Sequence, residues 1–161
     1  MNDDLNNVLE SAAKTVFTTM LETPLEVDRS NEPFFEGDYH IAGAVGLTGA
    51  YNGIIYLYST ALFARKMTCR LLGMTDDEIE GDEMVNDAFG ELTNMVGGVI
   101  KSNLEELNQA CMMTVPSVVR GSNFSIEAVT GVERRSVYCI CDGGRVLVEA
   151  LIKTADTEEL A

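Results

Sequence analysis

Residues 41–59 read IAGAVGLTGAYNGIIYLYS. Residues 38–48 and 54–59 carry β-branched and aromatic residues, on either side of a segment in which Asn52-Gly53 favours a tight turn. This pattern predicts a β-hairpin. The residues on one face of its first strand are small, so we expect a helix to pack closely over them: Ala42, Ala44 and Gly46.

Helices are predicted before and after this hairpin. Apolar residues recur at three- and four-residue steps from Leu5 to Leu21, which is typical of an amphipathic helix. Beyond the hairpin, a capping-box spacing at Thr75-x-x-Glu78 precedes the longest periodic segment. The predicted helices are residues 4–22, a helix capped by Ser59 or Thr60 that stops at Gly73, and a main helix at about 83–106.

The last third of the chain reads as strands joined by short connections. Gly143-Gly144 is predicted to be a hairpin loop, and Pro116 argues for an edge strand or a bulge. The predicted strands are residues 110–120, 123–130, 134–141 and 145–153. We therefore expect one α+β domain over residues 1–161, a mainly antiparallel sheet with long helices packed on it, and a frayed acidic tail after about residue 154.

The net charge of the chain limits the classes of partner that it can bind. The chain has a formal net charge of -15, which repels nucleic acid, anionic lipid and free phosphate compounds. Its partners should be cationic or carry their own metal. The alternative is that the excess of acidic residues only keeps the protein soluble. No apolar run is long enough to span a bilayer, and the acidic N-terminus is unlike a signal peptide. We expect a soluble, cytoplasmic protein that binds neither nucleic acid nor membranes.

The common catalytic and cofactor motifs are missing. Neither a phosphate-binding Gly-x-x-x-x-Gly-Lys-Ser/Thr loop nor a Gly-x-Gly-x-x-Gly fingerprint occurs, so ATP and NAD are not expected ligands. His40 is the only histidine, and it is interpreted as a structural or surface residue. Ordinary packing explains the remaining candidates, which are the reduced cysteines Cys69, Cys111, Cys139 and Cys141 and the methionines Met67, Met74, Met84, Met95, Met112 and Met113.

The main helix contains three glycines within residues 87–101, DAFGELTNMVGGVIK, at a cost of about 3 kcal/mol relative to alanine. At about 100° per residue, an apolar arc and a narrow polar stripe lie on opposite sides. The arc, predicted to be buried, comprises Met84, Val85, Ala88, Leu92, Met95, Val96, Val99 and Ile100. The stripe comprises Glu83, Asp87, Gly90, Glu91, Asn94, Gly97, Gly98, Lys101 and Glu105.

Asn94 lies at the middle of this stripe. Bare backbone around it would let another molecule approach Glu91 and Asn94 closely. Alternatively, the chain's own structure covers the glycines, and Asn94 then hydrogen-bonds inside the fold; the residues alone favour neither. The Glu-x-x-Asn spacing is weak evidence because it occurs three times, at Glu83-Asn86, Glu91-Asn94 and Glu105-Asn108, although only the middle pair has the glycine surround.

The segment DAFGELTNMVGG at 87–98 resembles the signature helix of the CheX, CheC and FliY group of chemotaxis phosphatases. The likeness covers nearly the whole chain and includes VFTTML (16–21), GLTGAYNGIIYL (46–57), LLGM (71–74) and VPSVVRG (115–121). CheC-type members carry a second site on the first helix. Here Glu10 is followed three residues on by Ala13, so the chain is similar to the one-site CheX type.

This resemblance implies hydrolysis of the phosphoaspartate of a CheY-like response regulator. Asn94 would orient the attacking water, and Glu91 would pair with the regulator's active-site lysine. The regulator would supply Mg²⁺, so this chain is expected to need no metal or cofactor of its own. The resemblance also implies a homodimer in which two sheets join. We assign the partner-docking face to Asp87, Gly90, Gly97, Gly98 and Lys101.

Two other readings remain open. The same bare face would suit a binding or adaptor module that docks on a receiver domain without catalysing anything. A purely structural subunit, whose glycine stripe is buried by its own chain, is the third reading. High burial of Asn94 would favour that last one.

Overall fold

The computed structural model describes residues 2–29 and 39–153, with side chains from residue 4 onward. The predicted tail after residue 154 lies outside the described residues. The helices are α1 (Asn2–Met20), α2 (Ala61–Leu72) and α3 (Asp82–Glu106), with a 3₁₀ turn at Asp76–Glu78. The strands are β1 (Glu26–Val27), β2 (Tyr39–Gly49), β3 (Asn52–Thr60), β4 (Cys111–Met113), β5 (Ser117–Ser122), β6 (Val132–Cys141) and β7 (Gly144–Lys153).

The strands form one antiparallel sheet in the order β1-β6-β7-β3-β2-β4, with β5 also paired to β2. β4 and β5 cover different halves of the same β2 edge, because the chain breaks its pairing around Pro116. The α+β prediction and the edge position inferred from Pro116 are both confirmed.

Local end signals fixed α2 and the turn after it. The Thr60 hydroxyl accepts from the backbone N–H of Phe63 at 3.1 Å, and Gly73 closes the helix in the left-handed conformation at φ 65°. At the following 3₁₀ turn, the Thr75 backbone N–H donates to Glu78 Oε1 at 3.1 Å, which lowers the pKa of that carboxyl. Both predicted caps are confirmed.

Both predicted hairpin loops are displaced. In the first, β2 ends at Gly49 and β3 already begins at Asn52, whose carboxamide accepts from the Gly49 N–H at 3.2 Å and donates to its carbonyl at 3.3 Å. Asn52 therefore closes the loop through its side chain. In the second, Asp142 and Gly143 form the loop with φ of 49° and 79°, while Gly144 pairs with Cys141 in the sheet.

All three helices pack on one face of the sheet, but not on the face predicted. The helix-facing side of β2 carries Ile41, Val45 and Leu47. Helix α3 approaches this side of the strand closely at Gly43. A Cβ added to Gly43 would lie only 1.9 Å from Thr93 Oγ1 of α3. The small-residue face of Ala42 lies on the opposite side of the sheet, where it joins a second cluster with Tyr58 and Leu147.

The predicted strand at 123–130 is wrong. These residues form an irregular connection in which Asn123 has a positive φ of 56°. Phe124 and Ile126 instead pack on the second cluster, which explains their alternation without strand pairing. The segment therefore covers part of the sheet face that carries no helix.

Most of the histidine, cysteine and methionine candidates are buried packing residues. His40 is 1% exposed within β2, and Cys111, Cys139 and Cys141 are buried free thiols. Burial raises the pKa of the Cys139 thiol to about 12. Met67 is buried, but Met112 is 73% exposed, so its predicted packing role is wrong. Within residues 2–29 and 39–153, no helix combines the length and apolar composition needed to cross a bilayer.

Candidate functional site

The buried face of α3 differs from the predicted arc by a rotation. Its buried residues are Val85, Ala88, Phe89, Gly90, Leu92, Thr93, Val96, Gly97, Ile100 and Leu104. At about 100° per residue, the centre of this set is displaced by roughly 80° from the centre of the predicted arc. Met84, Met95 and Val99 are consequently only partly buried, at one margin of the core.

The three glycines of α3 have different surroundings. A Cβ on Gly97 would lie 2.9 Å from Val45 Cγ2 and 3.0 Å from Met113 Sδ, and one on Gly90 would lie 3.6 Å from Val118 Cγ2. A Cβ on Gly98 would meet no atom of the described residues within 4 Å. Of the two interpretations left open by the sequence, the one in which the chain covers the glycines holds for Gly90 and Gly97, which are buried under Val45 of β2, Met113 of β4 and Val118 of β5.

Glu91 and Asn94 nevertheless face outward together. Glu91 is exposed and Asn94 is partly exposed, and residues three apart on a helix are neighbours on its surface. Within the described part of the chain, neither side chain makes a hydrogen bond or an ion pair. The reading in which Asn94 bonds inside the fold is therefore contradicted, although the chain does bury two of the glycines.

The other two Glu-x-x-Asn pairs are occupied or misplaced. Asn86 Oδ1 accepts from the Arg120 guanidinium of β5. Glu105 accepts from Lys101 Nζ at 2.5 Å, and Asn108 lies beyond the end of α3 at φ 59°. Of the three pairs, only Glu91 and Asn94 therefore present, side by side on the helix, a carboxylate and a carboxamide that are both unpaired among the described residues.

The remaining predicted docking residues also differ from one another: some are exposed, and one is held in an ion pair. Asp87 is exposed one turn before Glu91, and Gly98 is partly exposed one turn after Asn94. Lys101 is held in its i,i+4 ion pair with Glu105, which neutralises it locally. The exposed stripe is therefore acidic near Glu91 and bare backbone near Asn94.

A groove next to Glu91 was not expected from the sequence. We call it the α2–α3 groove; its volume is about 780 Å³, and it is lined by Met20, Leu71, Leu72, Glu80, Gly81, Asp82, Glu83, Met84, Asp87, Ala88, Glu91 and Met95. The sequence feature that could have indicated the groove is the pair Met84 and Met95 in α3, which were interpreted as core residues. The rotation of α3 brings Met84 and Met95 to the groove instead.

The side chains of Glu91 and Asn94 define the chemistry that is available at this site. An amide both donates and accepts hydrogen bonds but is no base near neutral pH, so Asn94 can hold a water molecule without deprotonating it. An unpaired exposed carboxylate such as Glu91 attracts a cation. The site therefore suits positioning and docking more than proton transfer.

Comparison with known proteins gives a consistent family. The profile described as Chemotaxis phosphatase CheX matches residues 41–139, more than half of the chain. The protein described as CheY-P phosphatase CheX from Thermotoga maritima is 26% identical over 125 residues, which cover 77% of this chain and 79% of that protein. These matches confirm the resemblance inferred from the residues.

Solved structures agree. A chemotaxis protein CheX from Desulfovibrio desulfuricans superposes with a TM-score of 0.78 and 25% identity, over 92% of this chain and 99% of that one. A chain in a CheX-CheY-BeF₃-Mg²⁺ complex from Borrelia burgdorferi gives a TM-score of 0.75 and 25% identity, over 91% and 96% of the two chains. The fold is therefore shared along nearly the full length of these proteins.

Proposed function

Because this chain belongs to the chemotaxis phosphatase CheX family, we propose that it hydrolyses the phosphoaspartate of a CheY-like response regulator. The similar protein from Thermotoga maritima is described as a CheY-P phosphatase, and the Borrelia burgdorferi complex holds CheX together with CheY. The observation that carries the proposal is the outward-facing pair of Glu91 and Asn94 on α3, both without a partner in residues 2–29 and 39–153.

Asn94 positions the attacking water in this proposal. Phosphoryl transfer through a loose transition state depends mainly on alignment and on charge stabilisation, so a general base is not essential. A carboxamide can accept a hydrogen bond from water and donate one toward the phosphoryl oxygens. Its partial burial limits the orientations of the side chain, which favours alignment over mere solvation.

Glu91 docks the regulator in this proposal. Its carboxylate pairs with the active-site lysine of the regulator, one helical turn from the water held by Asn94. The regulator supplies Mg²⁺ and the phosphoryl-binding groups; the Borrelia burgdorferi complex contains Mg²⁺ and BeF₃ with CheY. A chain with net charge -15 need not bind phosphate itself in this arrangement.

The test is turnover with one matched pair of variants. A CheY-like receiver domain is phosphorylated, mixed with the chain in Mg²⁺, and the release of phosphate is followed. We expect Asn94→Ala to lower the acceleration at least about a hundredfold, since alignment of the water is lost. Asn103→Ala, on the same helix and also partly exposed, should retain the wild-type rate.

The alternative is an adaptor that binds the receiver without turnover. It predicts no acceleration by the wild-type chain, although the two proteins still associate. Equal rates for wild type and Asn94→Ala would remove Asn94 from the catalytic role even if the chain is a phosphatase.

We also propose a homodimer joined at a sheet edge. The outer edge formed by β4, β5 and the residues between them exposes Met112, Val115 and Val119, at 73%, 84% and 54%. Apolar residues on an unpaired edge favour strand pairing with another chain. The mass in solution, by sedimentation equilibrium, tests the dimer independently of activity.

A further inference from the structure

The α2–α3 groove lies directly beside the proposed site, since Glu91 belongs to its lining. Its floor is apolar and is built from the ends of two helices and one side of a third: Met20 of α1, Leu71 and Leu72 of α2, and Met84, Ala88 and Met95 of α3. Met20 and Leu72 are each 46% exposed. Apolar surface left open in this way gains free energy when a partner covers it.

The floor can also adapt its shape. Met84 and Met95 pack against the core while lining the groove, so one end of each side chain is anchored in the fold. Methionine is unbranched and polarizable, and it adjusts to differently shaped partners at little conformational cost. Three of the lining side chains are methionines, which favours a protein surface over a rigid small molecule as the occupant.

The rim has one sign of charge. Its acidic residues are Glu80, Asp82, Glu83, Asp87 and Glu91. Along α3, Glu83, Asp87 and Glu91 follow at four-residue steps, a spacing at which like charges destabilise a helix by about 0.2–0.5 kcal/mol per pair.

Little in the part of the chain that the structure describes offsets this repulsion. Of the rim carboxylates, only Asp82 approaches a cation in the described residues, with Arg120 Nη1 at 3.7 Å. A partner that brings positive charge to the rim relieves the repulsion that the chain itself leaves standing.

We propose that this groove docks an apolar surface segment of the receiver domain that is flanked by lysine or arginine side chains. The proposal rests on the proposed function, because it places this segment next to the regulator's active-site lysine at Glu91. The apolar floor supplies affinity, and the acidic rim supplies orientation and fast association.

A second copy of this chain fits the groove poorly. Each copy carries a net charge of -15, so the acidic rim would repel it. The exposed apolar edge at β4 and β5 is a separate surface and shares no residue with the groove lining. At this groove the charge of the rim therefore selects a basic partner over a second copy, while the proposed homodimer uses the β4 and β5 edge.

The experiment measures binding without turnover. The probe is a CheY-like receiver domain held in its active state with beryllofluoride and Mg²⁺, titrated with the full chain by calorimetry. Leu72→Glu puts a charge on the groove floor and should raise Kd about tenfold or more. The matched control is Leu62→Glu on the same helix, 81% exposed and outside the groove, which should leave Kd within about twofold.

A second pair of variants tests the rim and does not depend on the floor. Asp87→Lys should raise Kd and reduce its increase with added salt, because one attractive charge is replaced by a repulsive one. Glu106→Lys makes the same change of charge on an exposed residue at the far end of α3, and its salt dependence should match the wild type. Thermal unfolding of all four variants checks that each is folded.

The outcomes separate the two proposals. If Leu72→Glu and Asp87→Lys bind like their controls while Asn94→Ala still abolishes turnover, the groove proposal is overturned and the proposed function stands. Equal weakening by the floor variant and its control also overturns it. A change in the sedimentation mass with Leu72→Glu, at unchanged receiver affinity, would assign the groove to self-association instead.

Discussion

Helices α1 and α3 pack on the same sheet face, and each carries a glutamate on its outer side, yet only α3 presents a complete pair. Glu10 of α1 accepts from Lys14 at 2.9 Å, and Ala13, three residues later, is 0% exposed. Glu91 of α3 has no partner in the described residues, and Asn94 is partly exposed. The spacing is the same in both helices, but the residue three positions after the glutamate is buried in α1 and partly exposed in α3.

The difference comes from the rotation of each helix on the sheet. In α1 the buried arc includes the position three residues after the glutamate, together with Leu9, Ala12, Val16 and Phe17. In α3 the buried arc lies on the side of the helix opposite Glu91, so Asn94 stays at the edge of that arc. A Glu-x-x-Asn pair becomes a site only where the rotation of the helix exposes both residues.

The largest expected effect comes from forcing the motif onto α1. Ala13→Asn creates a Glu-x-x-Asn pair at Glu10, but it places a carboxamide where the alanine is completely buried. We expect a loss of about 3 kcal/mol in the free energy of unfolding, from overpacking and from an unpaired buried amide. Denaturant unfolding measures the loss, and no second catalytic site should appear.

The control is Ser11→Asn, an exposed position on the same helix, which should change stability by less than about 0.5 kcal/mol. If Ala13→Asn is as stable as its control, or if it restores turnover to Asn94→Ala, the distinction drawn between the two helices is wrong.

The next effect concerns the glutamates themselves and rests on the proposed function. Glu91→Gln keeps the size of the side chain but removes the charge that pairs with the regulator's lysine, so we expect KM to rise about tenfold. Glu10→Gln removes a charge already paired with Lys14 and should leave KM within about twofold. Steady-state phosphate release measures both, and equal KM values would contradict a docking role for Glu91.

The parts of this fold that local chemistry determines could be predicted from the sequence. The Thr60 cap and the left-handed Gly73 fixed both ends of α2, and the periodicity of α3 placed it within one residue of its observed start. The antiparallel α+β class followed from strands separated by short connections.

The rotation of α3 could not be predicted, because periodicity gives the width of an apolar arc but not what covers its margins. Met113 and Val118, far along the chain from Gly90 and Gly97, close one margin, while the other margin stays open at Met84 and Met95. Both the burial of two glycines and the existence of the α2–α3 groove depend on these long-range contacts.

The smallest effect compares two adjacent glycines of α3. In Gly97→Ala the new Cβ meets Val45 Cγ2 at 2.9 Å, and a stiff β-branched residue yields little, so the clash outweighs the gain in helix propensity. We expect a net loss of about 1 kcal/mol in the free energy of unfolding. In Gly98→Ala the Cβ meets nothing within 4 Å, so we expect a gain of about 0.5–1 kcal/mol.

Of these two adjacent glycines, Gly98 is therefore the one with no packing reason to be there, since alanine would fit and would stabilise the helix. It lies one turn after Asn94, on the side from which a regulator would approach. If close approach to bare backbone is its purpose, Gly98→Ala will be more stable than the wild type and yet show a catalytic efficiency several-fold lower, about 1 kcal/mol of transition-state binding. An unchanged efficiency would mean that the regulator's surface does not reach residue 98, and that the contact is confined to Glu91, Asn94 and the groove.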